Sequence, residues 1–507
     1  MNLGVISAGD KQTLKAGEWI LKIGGNAYDA MLACMLAAPI CEPIFTSLGG
    51  GGFMLSAKQG DKPKIYDFFV NVPSSKIANP EFFPIEVDFK TTIQEFHIGC
   101  GAAAVPGMVK GIWKIYEDLA SLPFETIVQP ALKYATKGIH LSPIQADFIK
   151  LLKPIFTSTK SSKNLYVKDG NLIEPSHLFT NYEYGDFLKE FAKKGSDLFY
   201  NGEIANNIEN MCIKHNGLLD KSELENYQVK IREPINLKYK DYDIFTNPPP
   251  SSGGILTAFS LLLLNDEDLG EFGSKDYLKK LIESQEITTL FRSKHINEFL
   301  HKNGLENILK DDVLLQTFKK DFHSRLNLWG NTTHISIIDK YGNGASTTTT
   351  NGEACGHLIP ECGIMLNNML GEEDLNPHGF FKWKSGIRLP SMMAPTVVQK
   401  DKKISLLLGS AGSNRIRSAI MQVIINHLNF KMPIQEAISA PRVHFEKNTI
   451  FTEPPLNIEL NNELKKLYEV KKFDNLNLFF GGVQAVTGDY EAGADPRRGA
   501  YSKVIKF

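Results

Sequence analysis

Apolar positions along the chain follow two periods, and the change from one to the other organises the molecule. Leu3 to Ser7 is a short apolar run of strand type. Thr13 to Ile23 repeats apolar residues at helical spacing and stops at Gly24-Gly25, a terminating pair. Asn26 is placed to cap a second helix, Ala27 to Ala38, which is apolar nearly all round and is therefore expected to be buried. From about Pro130 to Lys320 the pattern reads as largely helical with charged outer faces. Asn247-Pro-Pro-Pro-Ser-Ser-Gly-Gly254 breaks it and is expected to form an ordered loop or stiff turn. After Asn331 the period becomes two. Thr332 to Asp339 alternates, Lys340 to Asn343 turns, and Ala345 to Thr350 continues as a β-branched run, which predicts a hairpin. Strands at Thr396–Gln399 and Ser405–Gly409 and a helix at Arg415–Leu428 follow. No internal repeat or long Gly/Ser linker divides the chain, so one large α/β or α+β unit is expected.

Composition narrows the class. With 507 residues, 42% hydrophobic and 22% charged, the chain can bury a substantial core and is not a disordered or disulfide-scaffold sequence. Its 56 Lys and Arg against 57 Asp and Glu give a net charge of -1, so no overall field favours nucleic acid or an anionic membrane as partner. The spacings of Cys34 and Cys41, and of Cys355 and Cys362, match no zinc or redox motif. The six cysteines are expected to be buried, reduced thiols of a reducing compartment. The N-terminus lacks the basic head and apolar core of a signal peptide, and the longest apolar stretches, such as Ile255 to Leu264, are too short to span a membrane. A cytoplasmic protein without membrane partners is expected. His334 and His444 have no ligand spacing around them and are assigned to packing, so no metal is expected.

There is no GxxxxGK[ST] loop, HExxH, CxxC or GxSxG. Gly49-Gly-Gly-Gly52, with no Lys-Ser or Lys-Thr after it, is read as a tight packing turn. The informative segment is Asn331-Thr332-Thr333-His334-Ile-Ser-Ile-Ile-Asp339, followed by its Lys-x-Gly-Asn turn. It resembles the start of the small subunit of γ-glutamyltranspeptidases, which are N-terminal-nucleophile hydrolases. The resemblance extends in order along nearly the whole chain: Gly24-Gly-Asn-Ala-Tyr-Asp-Ala30, Glu42-Pro through Leu55, Val105-Pro-Gly107, Pro248 to Gly254, Gly363-Ile-Met-Leu-Asn-Asn368, Gly409-Ser-Ala-Gly-Ser-Asn-Arg415, Ala440-Pro-Arg442 and Asp495-Pro-Arg-Arg498.

The resemblance implies a four-layer αββα fold made from a self-cleaving precursor, with a large subunit 1–331 and a small subunit 332–507 that stay associated. It implies scission between Asn331 and Thr332, and Thr332 as a nucleophile whose own α-amine is the base. Thr350 corresponds to the threonine that bonds the nucleophile, and Gly412 and Ser413 to the oxyanion-binding pair. Asn351 or Glu353, Glu372 (with Glu373 and Asp374 as alternatives) and Ser391 correspond to substrate-binding positions. The implied reaction is amide acyl transfer, to water or an amino-group acceptor, without a cofactor, on γ-glutamyl amides such as glutathione. Two departures leave that substrate open. Phe69 stands where the family has a carboxylate-binding arginine, and the family's Ser-Ser pair is Ser391-Met392. An acylase for another amide is the rival reading, and a catalytically silent binding protein the third. Arg388, Arg497 and Arg498 are candidates to replace the missing guanidinium.

Overall fold

The computed structural model describes residues 2–88, 93–311, 314, 332–376, 378–456 and 468–507. Asn331, on the near side of the expected scission point, lies outside the described residues. Thirteen strands, numbered in chain order, form the two central sheets: Asn2–Ala8 (β1), Gly51–Ala57 (β2), Lys64–Asp67 (β3), Lys230–Arg232 (β4), Ile235–Tyr239 (β5), Tyr242–Thr246 (β6), Thr333–Asp339 (β7), Gly344–Thr350 (β8), Thr396–Lys400 (β9), Lys403–Ala411 (β10), Gly482–Thr487 (β11), Ala492–Ala494 (β12) and Tyr501–Lys506 (β13). The first sheet runs β4-β3-β2-β8-β7-β1-β13 and the second β5-β6-β9-β10-β11-β12, with antiparallel neighbours throughout. Helices Lys11–Lys22 (α1) and Ala27–Cys41 (α2) cover the outer face of the first sheet. Helices Ser252–Leu264 (α3) and Arg415–Leu428 (α5) cover the second, and Lys275–Phe291 (α4) packs on α3. The result is four layers, αββα, with β7 and β8 packed against β10 and β11.

Local chemistry explains why the first layer forms where it does. Asp10 caps α1, its carboxylate accepting from the Gln12 N–H at 2.6 Å. Asn26 and Asp29 form a capping box at the start of α2. Every residue of α2 except Pro39 is buried, as its all-round apolar sequence predicts. The β7–β8 turn is closed by Asp339, whose carboxylate accepts from the N–H groups of Tyr341 and Asn343 and from the Asn343 amide. The same carboxylate accepts from the Ala27 N–H at 2.9 Å, so one buried anion fixes the hairpin turn to the positive end of α2. Hydrogen bonds to a charged group of this kind contribute about 1.5–3 kcal/mol each.

Three sequence readings change. The stretch expected to be largely helical contains β4, β5 and β6, and the Ile-Asn-Leu-Lys-Tyr alternation of β5 is buried and exposed in turn. Gly51 and Gly52 begin β2 rather than completing a turn, although Gly49 is tightly packed: a Cβ there would lie 2.2 Å from the Met365 carbonyl oxygen. The proline-rich loop ends at Ser251, and Ser252 to Gly254 form the first turn of α3. No helix among the described residues is long and apolar enough to cross a membrane.

His334 and His444 are both fully buried. His334 sits between the sheets, with Nδ1 bonded to the Thr348 hydroxyl at 2.7 Å and Nε2 to the Ser336 hydroxyl at 2.9 Å. Burial pushes its pKa down to about 3, so the ring is a neutral spacer. Gly409 lies directly against it, since a Cβ at that position would be 2.3 Å from the imidazole. Gly409→Ala is therefore expected to force the sheets apart and destabilise the protein by about 1–3 kcal/mol, the usual cost of overpacking. Chemical denaturation of the variant checks this, and an unchanged midpoint would mean that the intersheet spacing is not set by the ring.

Candidate active site

The hairpin and the two sheets bring most of the expected site residues to one end of the sandwich. Thr333 pairs with Thr349 across β7 and β8. The next step of that antiparallel register sets buried Thr332 opposite Thr350, the last residue of β8. Thr350 also pairs with Gly51, and its hydroxyl accepts from the Gly352 N–H at 3.1 Å. On the facing sheet, β10 ends at Ala411, paired with Gly482, and Gly412 and Ser413 follow immediately before α5. Gly412 has φ 119 and Ser413 φ 50. The first suits glycine, and the second is a strained left-handed setting for serine. The Ser413 hydroxyl donates to the Asp374 carboxylate, which ties this turn to the acidic run that follows Asn368.

The loop beyond Thr350 folds back on that acidic run. The Glu353 N–H donates to Asn368 Oδ1 at 2.9 Å, and the carboxyl groups of Glu353 and Glu372 share a hydrogen bond. A Cβ on Gly352 would lie 2.0 Å from Glu372 Oε1, so this loop and Glu372 are in contact. Burial first, then the charge of Asp374, raises the Glu372 pKa to about 8. Burial raises Asp374 to about 6, against the pull of the Ser413 hydrogen bond. The Asn351 side chain donates to the Leu366 carbonyl at 3.4 Å. Ser391 is bonded to other segments. Its hydroxyl accepts from the Met393 N–H, and its carbonyl accepts from Ser251 at the end of the proline-rich loop and Ser252 at the start of α3.

Phe69 is fully buried and stacks on Phe53 with ring centroids 5.5 Å apart, so that position is part of the apolar core. Arg388 is occupied by Asp67 at 3.1 Å, the Tyr227 hydroxyl at 2.6 Å and the Gln228 carbonyl at 2.8 Å. Arg497 is held by Glu453 and Asp495 and by two backbone carbonyls. Arg498 differs. It is 6% exposed, Nε and Nη1 have no hydrogen-bond partner among the described residues, and Nη2 comes within 3.5 Å of where a Cβ on Gly412 would stand. The charge of Asp495 and the Phe45 ring, 5.6 Å away, compensate the guanidinium in part, and the donors left over beside Gly412 suit an anion.

Sequence reasoning placed Glu42 only within a motif, yet it is a buried carboxylate next to the hairpin. It accepts from Thr333 Oγ1 at 2.6 Å and Thr13 Oγ1 at 2.8 Å. Thr349, in turn, receives a hydrogen bond from Thr46 at 3.0 Å. The residues on either side of the expected nucleophile pair are thus anchored by the segment that follows α2.

A family model described as γ-glutamyltranspeptidase matches residues 13–505. The chain belongs to the γ-glutamyltranspeptidase family. It is accordingly an N-terminal-nucleophile type amide hydrolase or acyltransferase. It is 30% identical to the capsule biosynthesis protein CapD proenzyme of Bacillus anthracis, over 96% of this chain and 86% of that protein. With a glutathione hydrolase proenzyme of Bacillus subtilis it shares 27% identity, over 97% and 88%. In fold it is similar to the crystal structure of a cephalosporin acylase from Bacillus halodurans, with a TM-score of 0.87, 21% identity and coverage of 100% of this chain and 96% of that one. The four layers described above are the αββα arrangement of this class.

Glu42 also generates a pH prediction. Burial, reinforced by the charge of Asp10, raises its pKa from 4.5 to about 7. The folded state therefore holds this proton more tightly than the unfolded chain. The stability it contributes is fully present below about pH 4.5 and is lost as pH rises through about 7. Glu42→Gln removes the titration, so the variant should gain on the wild type by a few kcal/mol between about pH 5 and pH 8. Denaturant unfolding across that range checks the sign; a stability difference that stays constant with pH would show that Glu42 is ionised throughout.

Proposed function

We propose that the chain cuts itself between Asn331 and Thr332 and then transfers γ-glutamyl-type acyl groups through Thr332. What supports this reading is the hairpin register, in which Thr333 pairs with Thr349 and so puts Thr332 opposite Thr350, together with the packing of the hairpin on β10, the strand that leads to Gly412 and Ser413. In the first reaction Thr332 Oγ attacks the Asn331 carbonyl carbon, the peptide nitrogen leaves as the new α-amine, and water hydrolyses the resulting ester. In turnover the α-amine takes the Thr332 hydroxyl proton as Oγ attacks the substrate amide. Thr350 holds Oγ, and the N–H groups of Gly412 and Ser413 receive the oxyanion. The leaving amine departs with the proton, and water or a second amine releases the acyl group from the ester.

Substrate recognition follows from the charges. Glu372, sharing a hydrogen bond with Glu353, is the receptor for the donor's α-ammonium group. Arg498 is the receptor for its carboxylate and replaces the arginine missing at position 69. Glutathione is the leading donor, in keeping with the relative named a glutathione hydrolase. The second reading, an acylase for an uncharged acyl group, is favoured by the apolar packing of Phe69 and by Met392, whose sulfur accepts from the Ser252 hydroxyl at 3.0 Å.

Thr332→Ala should yield an uncut chain with no turnover, whereas Thr332→Ser should process slowly and retain activity. Thr350→Val, which keeps shape and removes the hydroxyl, should slow processing or turnover about ten- to a thousand-fold. Denaturing gels and amide hydrolysis assays read both steps, and wild-type rates in Thr350→Val would remove that residue from the mechanism.

The donor is decided by kcat/KM for glutathione against its α-amide. Glutathione should be preferred, and Arg498→Gln should erase the preference through a rise of about 10–100-fold in KM for glutathione, the loss of a charge-assisted contact. Because Glu372 holds a proton up to about pH 8, KM for glutathione should fall as pH rises toward 8, and Glu372→Gln should flatten that profile. A wild type that prefers the α-amide selects the acylase reading.

A further inference from the structure

Three of the six cysteines meet far along the chain from one another. Cys100, Cys212 and Cys355 are all buried, and the Cys100 and Cys212 thiols hydrogen-bond to each other. Apolar packing would account for clustered thiols, but two imidazoles and a carboxylate lie at their edge. His357 Nε2 is 2.8 Å from Glu81 Oε2, His215 Nδ1 is 3.8 Å from Glu81 Oε1, and the two imidazole rings are 4.7 Å apart. One donor atom each from Glu81, Cys100 and His357 lies within 4.8 Å of the others. The backbone holds Glu81 in place: its N–H donates to the Asn216 carbonyl, its carbonyl accepts from the Gly101 N–H, and its carboxylate accepts from the Cys100 N–H at 2.9 Å.

We propose that Glu81, Cys100 and His357 bind a zinc-class divalent cation, with water in the fourth position. Thiolate, imidazole and carboxylate together suit a borderline-soft ion that takes four ligands, and not a hard ion such as calcium or magnesium. On binding, the Cys100 thiol releases its proton to solvent, and His357 gives up the Nε2 proton that faces Glu81 and takes one from solvent on Nδ1, so that the neutral ring coordinates through Nε2. Glu81, with a side chain 29% exposed, gives the ion a way in.

The position of the ligands gives such an ion a task. Glu81 and Cys100 lie before the expected scission point, and His357 lies after it, four residues beyond Glu353. A bound cation would link the two subunits and brace the loop that carries Asn351 and Glu353. Cation binding itself does not depend on scission, so it can fail or succeed separately from the proposed reaction.

The test uses the tag-free full chain, freed of metal by chelator and kept reduced. Zinc is titrated in competition with a chromophoric chelator, and cobalt is then substituted to report thiolate ligation by its near-ultraviolet charge-transfer absorption. The expected result is one ion per chain. Cys100→Ser should abolish the cobalt absorption, and Cys100→Ser, His357→Gln and Glu81→Gln should each weaken zinc binding at least about tenfold. Cys34→Ser, remote from the cluster, should leave it unchanged. A wild type that binds no ion, or zinc affinity and cobalt absorption that survive Cys100→Ser, would overturn the proposal.

Discussion

The fold depends on where the β7–β8 hairpin is inserted. In the first sheet it has β2 on one side and β1 on the other, with β13 beyond β1. Strands that precede residue 332 therefore flank strands that follow it, and four backbone ladders cross between the two parts of the chain: β2–β8, β1–β7 and β1–β13 in this sheet and β6–β9 in the second. Asp339 adds a side-chain tie, from the hairpin turn to the start of α2. A peptide bond broken just before β7 would cost no ladder hydrogen bond within the sheet. The new chain end would be held at its place by neighbours on both sides, which suits a nucleophile that must carry its own amine.

Around that end the protein concentrates buried charge. Glu42 anchors Thr333, Glu372 and Glu353 share a hydrogen bond, Asp374 takes the Ser413 hydroxyl, and Arg498 stands beside Gly412. Each buried ionisable group disfavours its charged form unless a counter-charge is present. Arg292 and Arg415 act on Asp374 and Asp495 on Arg498, and a zwitterionic acyl donor would add an ammonium for Glu372 and a carboxylate for the guanidinium. The unliganded electrostatics of the site thus favour the γ-glutamyl reading despite the loss of arginine at position 69.

The sequence revealed this unevenly, for physical reasons. The hairpin was legible because strict alternation and a Lys-Tyr-Gly-Asn turn act locally, and α2 because its apolar character has no polar face to compete. β4, β5 and β6 were missed because short strands between helical segments have little periodicity to declare, although the alternation of β5 was present. Among arginines, residue type alone could not separate Arg388 and Arg497 from Arg498. The carboxylates that neutralise the first two, Asp67, Glu453 and Asp495, are assigned to them only by tertiary contact. The Glu81–Cys100–His357 cluster was illegible for the same reason, since its members share no local spacing.

The central claim is that Thr332 becomes a chain end and then the nucleophile. Intact-mass spectrometry of the purified protein, on material shown to hydrolyse a γ-glutamyl amide, tests it most directly. The account predicts two chains whose masses sum to the 56.6 kDa precursor plus one water, the smaller beginning at Thr332. A single uncut 56.6 kDa species with full activity would contradict it.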